Sequence, residues 1–437
     1  MINLNIRKRT MVKPAEKTPR RSLRLSVLDR INNHPVHNSV VQFYRQIISG
    51  APNFFDADML KKTLSKVLVP FYPVAGRYGV GDDGRIEINC NEEGFHFVEV
   101  ESGSTIDDFG DFAPSPDLEK LVPAVDYSGG LSSYPLMVVQ ITYFKCGGVS
   151  LGSAMEHHTV DGTSAMHLMN SWSQIARGLD ITIPPFLDRS LLDPRNPPQP
   201  KFNHIEYQPT NSNKIISLQN HSTITSIFKL TKDQLSTMKS LANKNGQGGV
   251  HYSTFEVLAG HTWKCVCKAR DVPRDEETRL YFPVNGRPST RFQPQLPLGF
   301  FGNAIFAGTA IALAGDLQTK PLSYAVSLIH ETLVKMNNDY LRSAIDHIEL
   351  QPDISPIRLG ARLYQSPNFG ITSWSRMGTH DADFGWGRPC YMGIAAISFE
   401  GKSYIVPSAA DDGGFSLIIA LHDEHMKVFE KSFYEYM

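Results

Sequence analysis

Neither sign of charge dominates this sequence of 437 residues, which has 43 Lys and Arg residues against 44 Asp and Glu residues. The formal net charge is therefore −1 at pH 7. Such a balance lacks the positive electrostatic footprint of a nucleic-acid-binding protein or of a protein that docks on an anionic membrane. We expect no nucleic-acid or membrane partner, and we favour a small molecule or a local patch on a protein.

Cysteine is scarce, and its spacing fits neither a disulfide framework nor a zinc site. The five cysteines are an odd and scattered set, at Cys90, Cys146, Cys265, Cys267 and Cys390. The 265 and 267 thiols are two positions apart on a predicted helix, where they point in different directions and do not form a metal site. We expect no metal and a reducing, cytoplasmic setting.

Long apolar runs are also lacking. The longest uncharged stretch, residues 296–315, contains Pro297, Asn303 and four glycines, and therefore predicts core strands and turns rather than a bilayer span. The N-terminal MINLNIRKRTMVKP has charges but no apolar run behind them, which argues against a secretory signal.

Apolar periodicity in the first half predicts alternating helices and strands. DADMLKKTLSKVL, from Asp56, has one apolar helical face. RIEINC and FHFVEVE, joined by NEEG, predict a strand pair, and PLMVVQITYF and VSLGSAMEH predict a second, more buried pair. A helix is expected after Gly162, with Gly178 as its C-terminal stop.

A segment rich in Pro and Asn, residues 181–220, interrupts this pattern and predicts a crossover linker between domains 1–180 and 221–437. Beyond it, Thr231/Gln234 and Ser253/Glu256 form capping boxes of two predicted helices. Strands RLYFPV, NAIFAG, GITSW, SYIVP and FSLIIAL alternate with helices PLSYAVSLIHETLVKMNNDYL and HDEHMKVFEKSFYEY. The predicted fold is therefore α/β or mixed α+β, with two similar-sized domains.

The stretch SAMEHHTVDGTSAMHL, residues 153–168, places two histidines and an aspartate at a strand-to-helix turn. Three interpretations compete: a metal site, a buried structural cluster, and a general base with its supporting carboxylate. Adjacent side chains on an extended chain point to opposite faces, so His157 and His158 do not readily coordinate the same metal ion. A neutral imidazole is suited to accept a proton near pH 7, and Asp161 can brace the turn.

No G-x-S-x-G elbow, activated cysteine or glycine-rich phosphate loop is present, so neither a covalent acyl-enzyme nor nucleotide binding is supported. Direct deprotonation of an acceptor by histidine remains, beside the structural alternative.

HHTVDG at residues 157–162, followed by DFGWG at residues 383–387, resembles the BAHD family of plant acyl-CoA-dependent acyltransferases. The resemblance extends over nearly the whole chain through LVPFYPVAGR, DRSLLDPRNPPQPKFNHIEYQP, STFEVLAGHTW, GFFGNAIF, GITSW and HMKVFEKSFYE. It is strongest to the hydroxycinnamoyltransferase branch, similar to shikimate/quinate hydroxycinnamoyltransferases and rosmarinic acid synthases.

The resemblance implies a chloramphenicol acetyltransferase-like fold of two domains, each a mixed sheet with helices, with DFGWG as a structural element of the C-terminal domain. It implies that His157 is the general base, that His158 is structural, and that Asp161 orients the loop through an ion pair. Thr372 and Trp374 match positions that contact the reacting centre, where their O–H and N–H groups are available donors. An ordinary strand with a core tryptophan is the alternative interpretation of GITSW.

Ser253 and Thr254, at the start of a helix, are candidates to hold coenzyme A because a helix N-terminus attracts phosphate. The capping box explains Ser253 equally well.

The acceptor side departs from the shikimate-using relatives. Three alternating hydroxyl-bearing positions of those relatives are here Asn38, Val40 and Gln42. Their carboxylate-pairing arginine corresponds to Leu359, with Arg358 next to it. Either Arg358 serves after a local register shift, or the acceptor is not shikimate.

The resemblance implies an enzyme that moves a p-coumaroyl or caffeoyl group from acyl-CoA, a co-substrate rather than a cofactor, to a hydroxyl of shikimate, quinate or another hydroxy acid. Transfer to an amine, giving a phenolamide, is the alternative. A non-catalytic binding relative is a third hypothesis, against which the intact His157/Asp161 pair argues. We expect a monomer that needs no cofactor.

Overall fold

The computed structural model describes residues 2–32, 35–46, 53–208, 222–244, 251–360, 363–397 and 399–435. The chain forms two compact units, each assembled from discontinuous segments. The first unit comprises Met1–Asp193, Leu296–Ala304 and Met377–Ala396, and the second comprises Pro194–Gln295, Ile305–Arg376 and Ile397–Met437. No helix in the described part of the chain is both long enough and apolar enough to span a membrane.

The strands of the first unit form one large mixed sheet and one small antiparallel sheet. In chain order they are β1 (Leu4–Val12), β2 (Ser22–Arg24), β3 (His37–Tyr44), β4 (Arg77–Val80), β5 (Ile86–Asn89), β6 (Phe95–Ser102), β7 (Met137–Phe144) and β8 (Val149–Glu156), with Tyr391–Ile394 added later from the C-terminal half. Over the described residues the large sheet has the order β1, β6, β7, β8, β3 and then Tyr391–Ile394, and only β6 and β7 pair in parallel. The small sheet has the order β2, β5, β4.

The helices of the first unit are α1 (Val27–Arg30), α2 (Ala57–Val67), α3 (Pro116–Glu119) and α4 (Gly162–Ala176) within the described residues. Helix α2 begins at the N-cap Asp56, and its buried face is the apolar face seen in the sequence. Helix α4 ends before Gly178, whose φ of 76° is a left-handed conformation that glycine adopts without a Cβ clash. Both predicted helices are thus confirmed.

The strands of the second unit, within the described residues, form one mixed sheet. They are β9 (Thr223–Leu230), β10 (Glu277–Asn285), β11 (Ile305–Leu313), β12 (Phe369–Ser373), β14 (Lys402–Pro407) and β15 (Phe415–His422), where β13 is the Tyr391–Ile394 strand of the first unit. Their order is β11, β10, β12, β14, β15, β9, and β12 pairs in parallel with both of its neighbours.

The helices of the second unit are α5 (Lys232–Lys244), α6 (Thr254–Ala269), α7 (Ala314–Thr319), α8 (Leu322–Lys335), α9 (Asn338–Glu349) and α10 (Asp423–Phe433) within the described residues. Both predicted capping boxes are present. Thr231 and Gln234 exchange hydrogen bonds at the start of α5, as do Ser253 and Glu256 at the start of α6. The mixed α/β class, with a large mixed sheet and helices in each unit, is confirmed.

Several sequence predictions differ from the structure. The strands β5 and β6 exist, but they lie in different sheets rather than pairing with each other. The connecting NEEG contains two residues with positive φ, Glu92 at 61° and Gly94 at 73°, so it redirects the chain instead of closing a hairpin. The single helix predicted over residues 321–341 is two helices, because Asn337 caps a new one by accepting a hydrogen bond from the Tyr340 N–H.

The domain boundaries drawn from the sequence also differ from the compact units. The DFGWG segment lies within 221–437, yet it belongs to the first unit because strand β13 beside it pairs with β3. The described part of the crossover, residues 181–208, is irregular but fixed, with Arg189, His204 and Tyr207 all buried. Its remaining residues, 209–220, lie outside the described residues.

Candidate active site

The HHTVDG motif forms the turn between the last residue of β8, Glu156, and the first residue of α4, Gly162. The His157 N–H donates to the carbonyl of Val36 at 2.9 Å, which continues the β3–β8 ladder by one step. The Thr159 N–H then turns back to the Glu156 carbonyl at 3.1 Å. The predicted strand end and helix start are therefore confirmed, and the turn is held at both ends.

The main chain of His157 is hydrogen-bonded to its surroundings, whereas its ring Nδ1 is not. The His157 carbonyl accepts a hydrogen bond from the Asn303 side-chain amide at 2.8 Å. The ring Nδ1 is buried, and among the described residues it has no hydrogen-bond partner. The backbone is thus fixed, while the ring Nδ1 has no hydrogen bond to the part of the chain that the structure describes.

The neighbouring His158 is instead part of the packing. It is 1% exposed, its N–H donates to Glu156 Oε2 at 2.6 Å, and its Nε2 lies 2.9 Å from the Asn32 carbonyl oxygen. These contacts give His158 a structural position.

Asp161 supports the turn through both of its carboxylate oxygens. Oδ1 accepts the Ser164 N–H at 2.9 Å, which makes Asp161 the N-cap of α4, and Oδ2 accepts the Ala304 N–H at 3.0 Å. The side chain is 2% exposed. Both carboxylate oxygens of Asp161 thus accept main-chain N–H groups at the turn.

Buried polar residues that sequence reasoning missed complete the support of the turn. Arg189 pairs with Asp29 at 2.8 Å and also donates to the Thr159 carbonyl at 2.8 Å. Asn303 bridges the same Asp29, at 2.8 Å, to the His157 carbonyl. Glu156 accepts hydrogen bonds from the His158 N–H and the Tyr78 hydroxyl.

Only weak signals pointed to these residues in the sequence. Arg189 and Asn303 lie in the DRSLLDPRN and GFFGNAIF stretches, which carried the resemblance without an assigned role. Their partners are 160 and 274 residues away in the chain, so no local pattern reveals the contacts.

The three acceptor-side candidates follow one face of strand β3. Asn38 pairs with Met155, Val40 with Ser153 and Gln42 with Leu151, and directly paired residues share a face of an antiparallel sheet. Since Val36 is the main-chain partner of His157, the same register places His157 in the row of these three residues.

Burial rises along this row. Asn38 is exposed and Val40 is partly buried, whereas Gln42 is 1% exposed. Neither side-chain amide atom of Gln42 has a hydrogen-bond partner among the described residues. A buried amide without a partner costs free energy, so Gln42 is an unusual residue at this position.

In the second unit, Thr372 and Trp374 lie on and just after strand β12. The Thr372 Oγ1 accepts a hydrogen bond from the Lys402 ammonium at 2.7 Å, which leaves the hydroxyl proton free to be donated elsewhere. The Trp374 ring packs edge-on against Tyr404 at 5.6 Å, and its main-chain N–H continues the sheet to Ile405. Lys402 was not singled out from the sequence.

The other second-unit candidates have less distinctive surroundings. Arg358 follows a short 3-10 turn and is half-buried beside Leu359. Hydrogen bonds from Ser355 lower the pKa of the exposed Asp353, and the Arg358 charge adds a smaller contribution. Thr254 is the first residue of α6, and the hydroxyl of Ser253 accepts the Glu256 N–H at 3.3 Å as its cap. Because the Glu256 carboxylate also lies at this helix start, the capping interpretation of Ser253 is favoured over phosphate binding.

Comparison with known proteins gives matches over the whole chain. A sequence model of the Transferase family matches residues 2–436. Shikimate O-hydroxycinnamoyltransferase of Nicotiana tabacum is 53% identical over 100% of both chains, and rosmarinate synthase of Plectranthus scutellarioides is 48% identical over 99% of this chain and 100% of the relative. Hydroxycinnamoyl-CoA:5-hydroxyanthranilate N-hydroxycinnamoyltransferase HHT4 of Avena sativa is 46% identical over 98% of each chain.

Among solved structures, vinorine synthase has a similar fold. Its TM-score is 0.75 at 22% identity, and the match covers 98% of this chain and 96% of vinorine synthase.

Proposed function

The chain belongs to the BAHD family of acyltransferases, and we propose that it transfers a hydroxycinnamoyl group, such as p-coumaroyl or caffeoyl, from coenzyme A to a hydroxyl of a small hydroxy acid. The relatives support the acyl group, since all three are named for hydroxycinnamoyl or rosmarinate chemistry. They also support an acidic acceptor, because shikimate and 5-hydroxyanthranilate both carry a carboxylate.

The proposed reaction uses His157 as its general base. The imidazole accepts the proton of the acceptor hydroxyl while the oxygen attacks the thioester carbonyl carbon. The tetrahedral intermediate then collapses, the C–S bond breaks, and the proton passes from His157 to the departing thiolate, giving the ester and free coenzyme A. In this scheme the Thr372 hydroxyl and the Trp374 indole N–H supply donors for the developing negative charge on oxygen.

One observation carries this assignment. The main chain of His157 is held by the Val36 carbonyl and the Asn303 amide, whereas the Nδ1 atom of its ring has no hydrogen-bond partner among the described residues. A structural histidine in the same turn, His158, uses its ring to contact the Asn32 carbonyl. A fixed backbone with a free imidazole is what proton transfer to and from a transient substrate requires.

The first test is the variant His157→Ala, assayed by release of free coenzyme A from p-coumaroyl-CoA in the presence of shikimate or quinate. Loss of the general base is expected to lower the rate by roughly 100- to 10,000-fold. His96→Ala, which removes an exposed histidine on strand β6, is the matched control and should keep wild-type activity. Undiminished turnover by His157→Ala would remove the general-base assignment.

Amide formation is the second candidate, because the Avena sativa relative is named for N-transfer. Purified protein is to be assayed with p-coumaroyl-, caffeoyl- and acetyl-CoA against shikimate, quinate, malate, a phenyllactate, tyramine and spermidine, with the products identified by mass. Ester products from the hydroxy acids support the main proposal, and amides of tyramine or spermidine alone support the alternative.

The proposal includes a cytoplasmic monomer that uses acyl-CoA as a co-substrate and needs no cofactor. All five cysteines are free thiols, which supports a reducing compartment. A solution mass near 48.8 kDa by light scattering would support the monomer, and twice that value would contradict it.

A further inference from the structure

The Thr372 hydroxyl lies among side chains that project from one face of the sheet in the second unit. Strands β12 and β14 are parallel neighbours in which Gly370 pairs with Lys402 and Thr372 with Tyr404. Because alternate residues share a face, Thr372, Lys402 and Tyr404 project from the same side of this sheet. Gly370 has no side chain, and the Tyr364 ring occupies the space that a Cβ there would need.

Lys402 is an unusual residue for such a place because it is only 8% exposed. Its ammonium donates to Thr372 Oγ1 at 2.7 Å and lies 4.6 Å from the centre of the Tyr364 ring and 5.2 Å from that of Tyr404. It forms no ion pair with any residue in the described part of the chain. One of its three N–H donors is thus used by a neutral hydroxyl, and its charge has no countercharge.

Burial without a countercharge is costly for an ammonium group. Desolvation lowers the pKa of Lys402 to about 7, while burial raises the pKa of Tyr364 to about 12 and also raises that of Tyr404, so both rings stay neutral phenols. The two rings offset part of the cost through cation–π attraction. An incoming anion would supply the missing countercharge and a further acceptor.

We propose that Lys402 binds the carboxylate of the acceptor and thereby selects anionic over cationic acceptors. This inference rests on the proposed function, because it connects Lys402 to the substrate through Thr372, which matches a family position at the reacting centre. In the shikimate-using relatives an arginine pairs with the acceptor carboxylate, and this chain has Leu359 at that position. The Lys402 ammonium takes over the pairing. It also favours a hydroxy acid over an amine such as tyramine, since like charges repel.

Arg358 is the competing candidate for the same carboxylate. The Nε atom of Arg358 has no hydrogen-bond partner among the described residues. Its side chain, however, is only half-buried, and its charge acts on the neighbouring Asp353 carboxylate. Lys402 is more buried and has no such acidic neighbour acting on it.

The test compares Lys402→Met with the wild type on an acid acceptor and on its methyl ester. Methionine keeps most of the length of the side chain and removes the ammonium group with its charge. The KM for shikimate or quinate is expected to rise by roughly 10- to 100-fold, as for loss of a charged hydrogen bond, with the KM for p-coumaroyl-CoA and for the methyl ester unchanged. Lys402→Arg should keep most of the preference for the acid.

Two control variants separate the explanations. Lys229→Met removes an exposed lysine on strand β9 of the same sheet and should leave every KM unchanged. Arg358→Met tests whether Arg358 binds the carboxylate instead. If this variant has a raised KM for the acid while Lys402→Met keeps the wild-type KM, the proposal is overturned. An equal fall in kcat for acid and ester in Lys402→Met also overturns it, because that result means that Lys402 only positions Thr372.

The pH dependence gives a second measurement. Lys402 carries its charge below its pKa of about 7 and loses it above, whereas the acceptor carboxylate stays ionised throughout. The ratio of acid KM to ester KM should therefore rise as pH increases from 7 to 9 in the wild type. It should stay flat in Lys402→Arg, whose guanidinium keeps its charge.

The two rings that face Lys402 do not titrate with this pattern. Tyr364 and Tyr404 remain neutral over the range because burial raises the pKa of both, and Arg270 forms a 2.6 Å ion pair with Glu400. A flat ratio in the wild type would contradict the proposal.

Failure of the two proposals can be told apart. If the wild type esterifies none of the hydroxy acids, the proposed function fails. If it esterifies them and Lys402→Met keeps the wild-type acid KM, only the role of Lys402 fails. Thermal unfolding of each variant establishes that a changed KM does not reflect a misfolded protein.

Discussion

At the scale of single residues, His157 and His158 are neighbours in the sequence but have different surroundings, because adjacent residues of an extended strand face opposite sides of the sheet. His157 continues the row of Asn38, Val40 and Gln42, whereas His158 turns to the opposite side and is locked against Asn32. Strand alternation predicts that the two rings leave opposite faces, and the family resemblance implies which of them is structural. Neither predicts which buried groups complete the support, since those contacts come from distant segments.

Asp161 provides the residue-scale prediction. Asp161→Ala removes the cap of α4 and leaves the Ser164 and Ala304 N–H groups without their acceptor, so we expect a loss of roughly 2–4 kcal/mol in the free energy of unfolding. Asp161→Asn keeps an oxygen acceptor and should lose less. Urea unfolding followed by circular dichroism measures both. A fully stable Asp161→Ala with lost activity would mean that Asp161 contacts substrate.

At the scale of elements, strand β8 positions the HHTVDG turn, because His157 follows its last residue, Glu156. It lies between β7 and β3, and all of its residues are buried. Gly152 lies in the middle of the strand, where a Cβ would come within 1.9 Å of the Leu121 carbonyl oxygen. Close approach of another backbone, rather than a turn, therefore explains this glycine.

Gly152→Ala tests that explanation. Because the clash is with backbone, we expect a loss of roughly 1–3 kcal/mol in the free energy of unfolding, together with reduced activity as the end of β8 shifts. Gly103→Ala is the control, since nothing lies within 4 Å of a Cβ there, and it should change stability by less than about 0.5 kcal/mol. Equal stability of the two variants would show that β8 tolerates a side chain.

Local signals predicted the elements better than they predicted their partners. Thr231 and Ser253 begin their helices with the predicted capping boxes, and α2 and α4 begin at the N-caps Asp56 and Asp161 where the sequence places helices. The prediction that β5 pairs with β6 was wrong. Two strand patterns with a short connection predict a hairpin, but they do not show which sheet each strand joins. Strand pairing depends on which surfaces are buried together, and that information is not local.

At the scale of the whole molecule, the chain builds each unit from segments that are far apart in sequence. The first unit takes Leu296–Ala304 and Met377–Ala396 from the C-terminal half. These segments supply Asn303 and Ala304 beneath the HHTVDG turn, and strand β13 beside β3. A fragment that ends at residue 193 lacks all of them.

We therefore expect that residues 1–193 expressed alone do not unfold cooperatively, because the strand that pairs with β3 and the Asn303 and Ala304 donors to Asp29 and Asp161 are missing. Co-expression with residues 194–437 should restore a cooperative transition, followed by circular dichroism and limited proteolysis. A stable, cooperatively folding 1–193 fragment would contradict the view that the later segments complete this unit.

By itself the sequence determined the mixed α/β class, the positions and caps of most helices, the family, and the imidazole at the strand-to-helix turn. These features depend on local propensity, periodicity and short motifs, which a chain displays without being folded. Only the tertiary structure decided that Arg189, Asp29 and Asn303 hold the turn, that DFGWG belongs with the first unit, and that Lys402 is buried next to Thr372. Burial and long-range pairing set the electrostatics of a side chain, and both arise only when distant segments of the chain pack together.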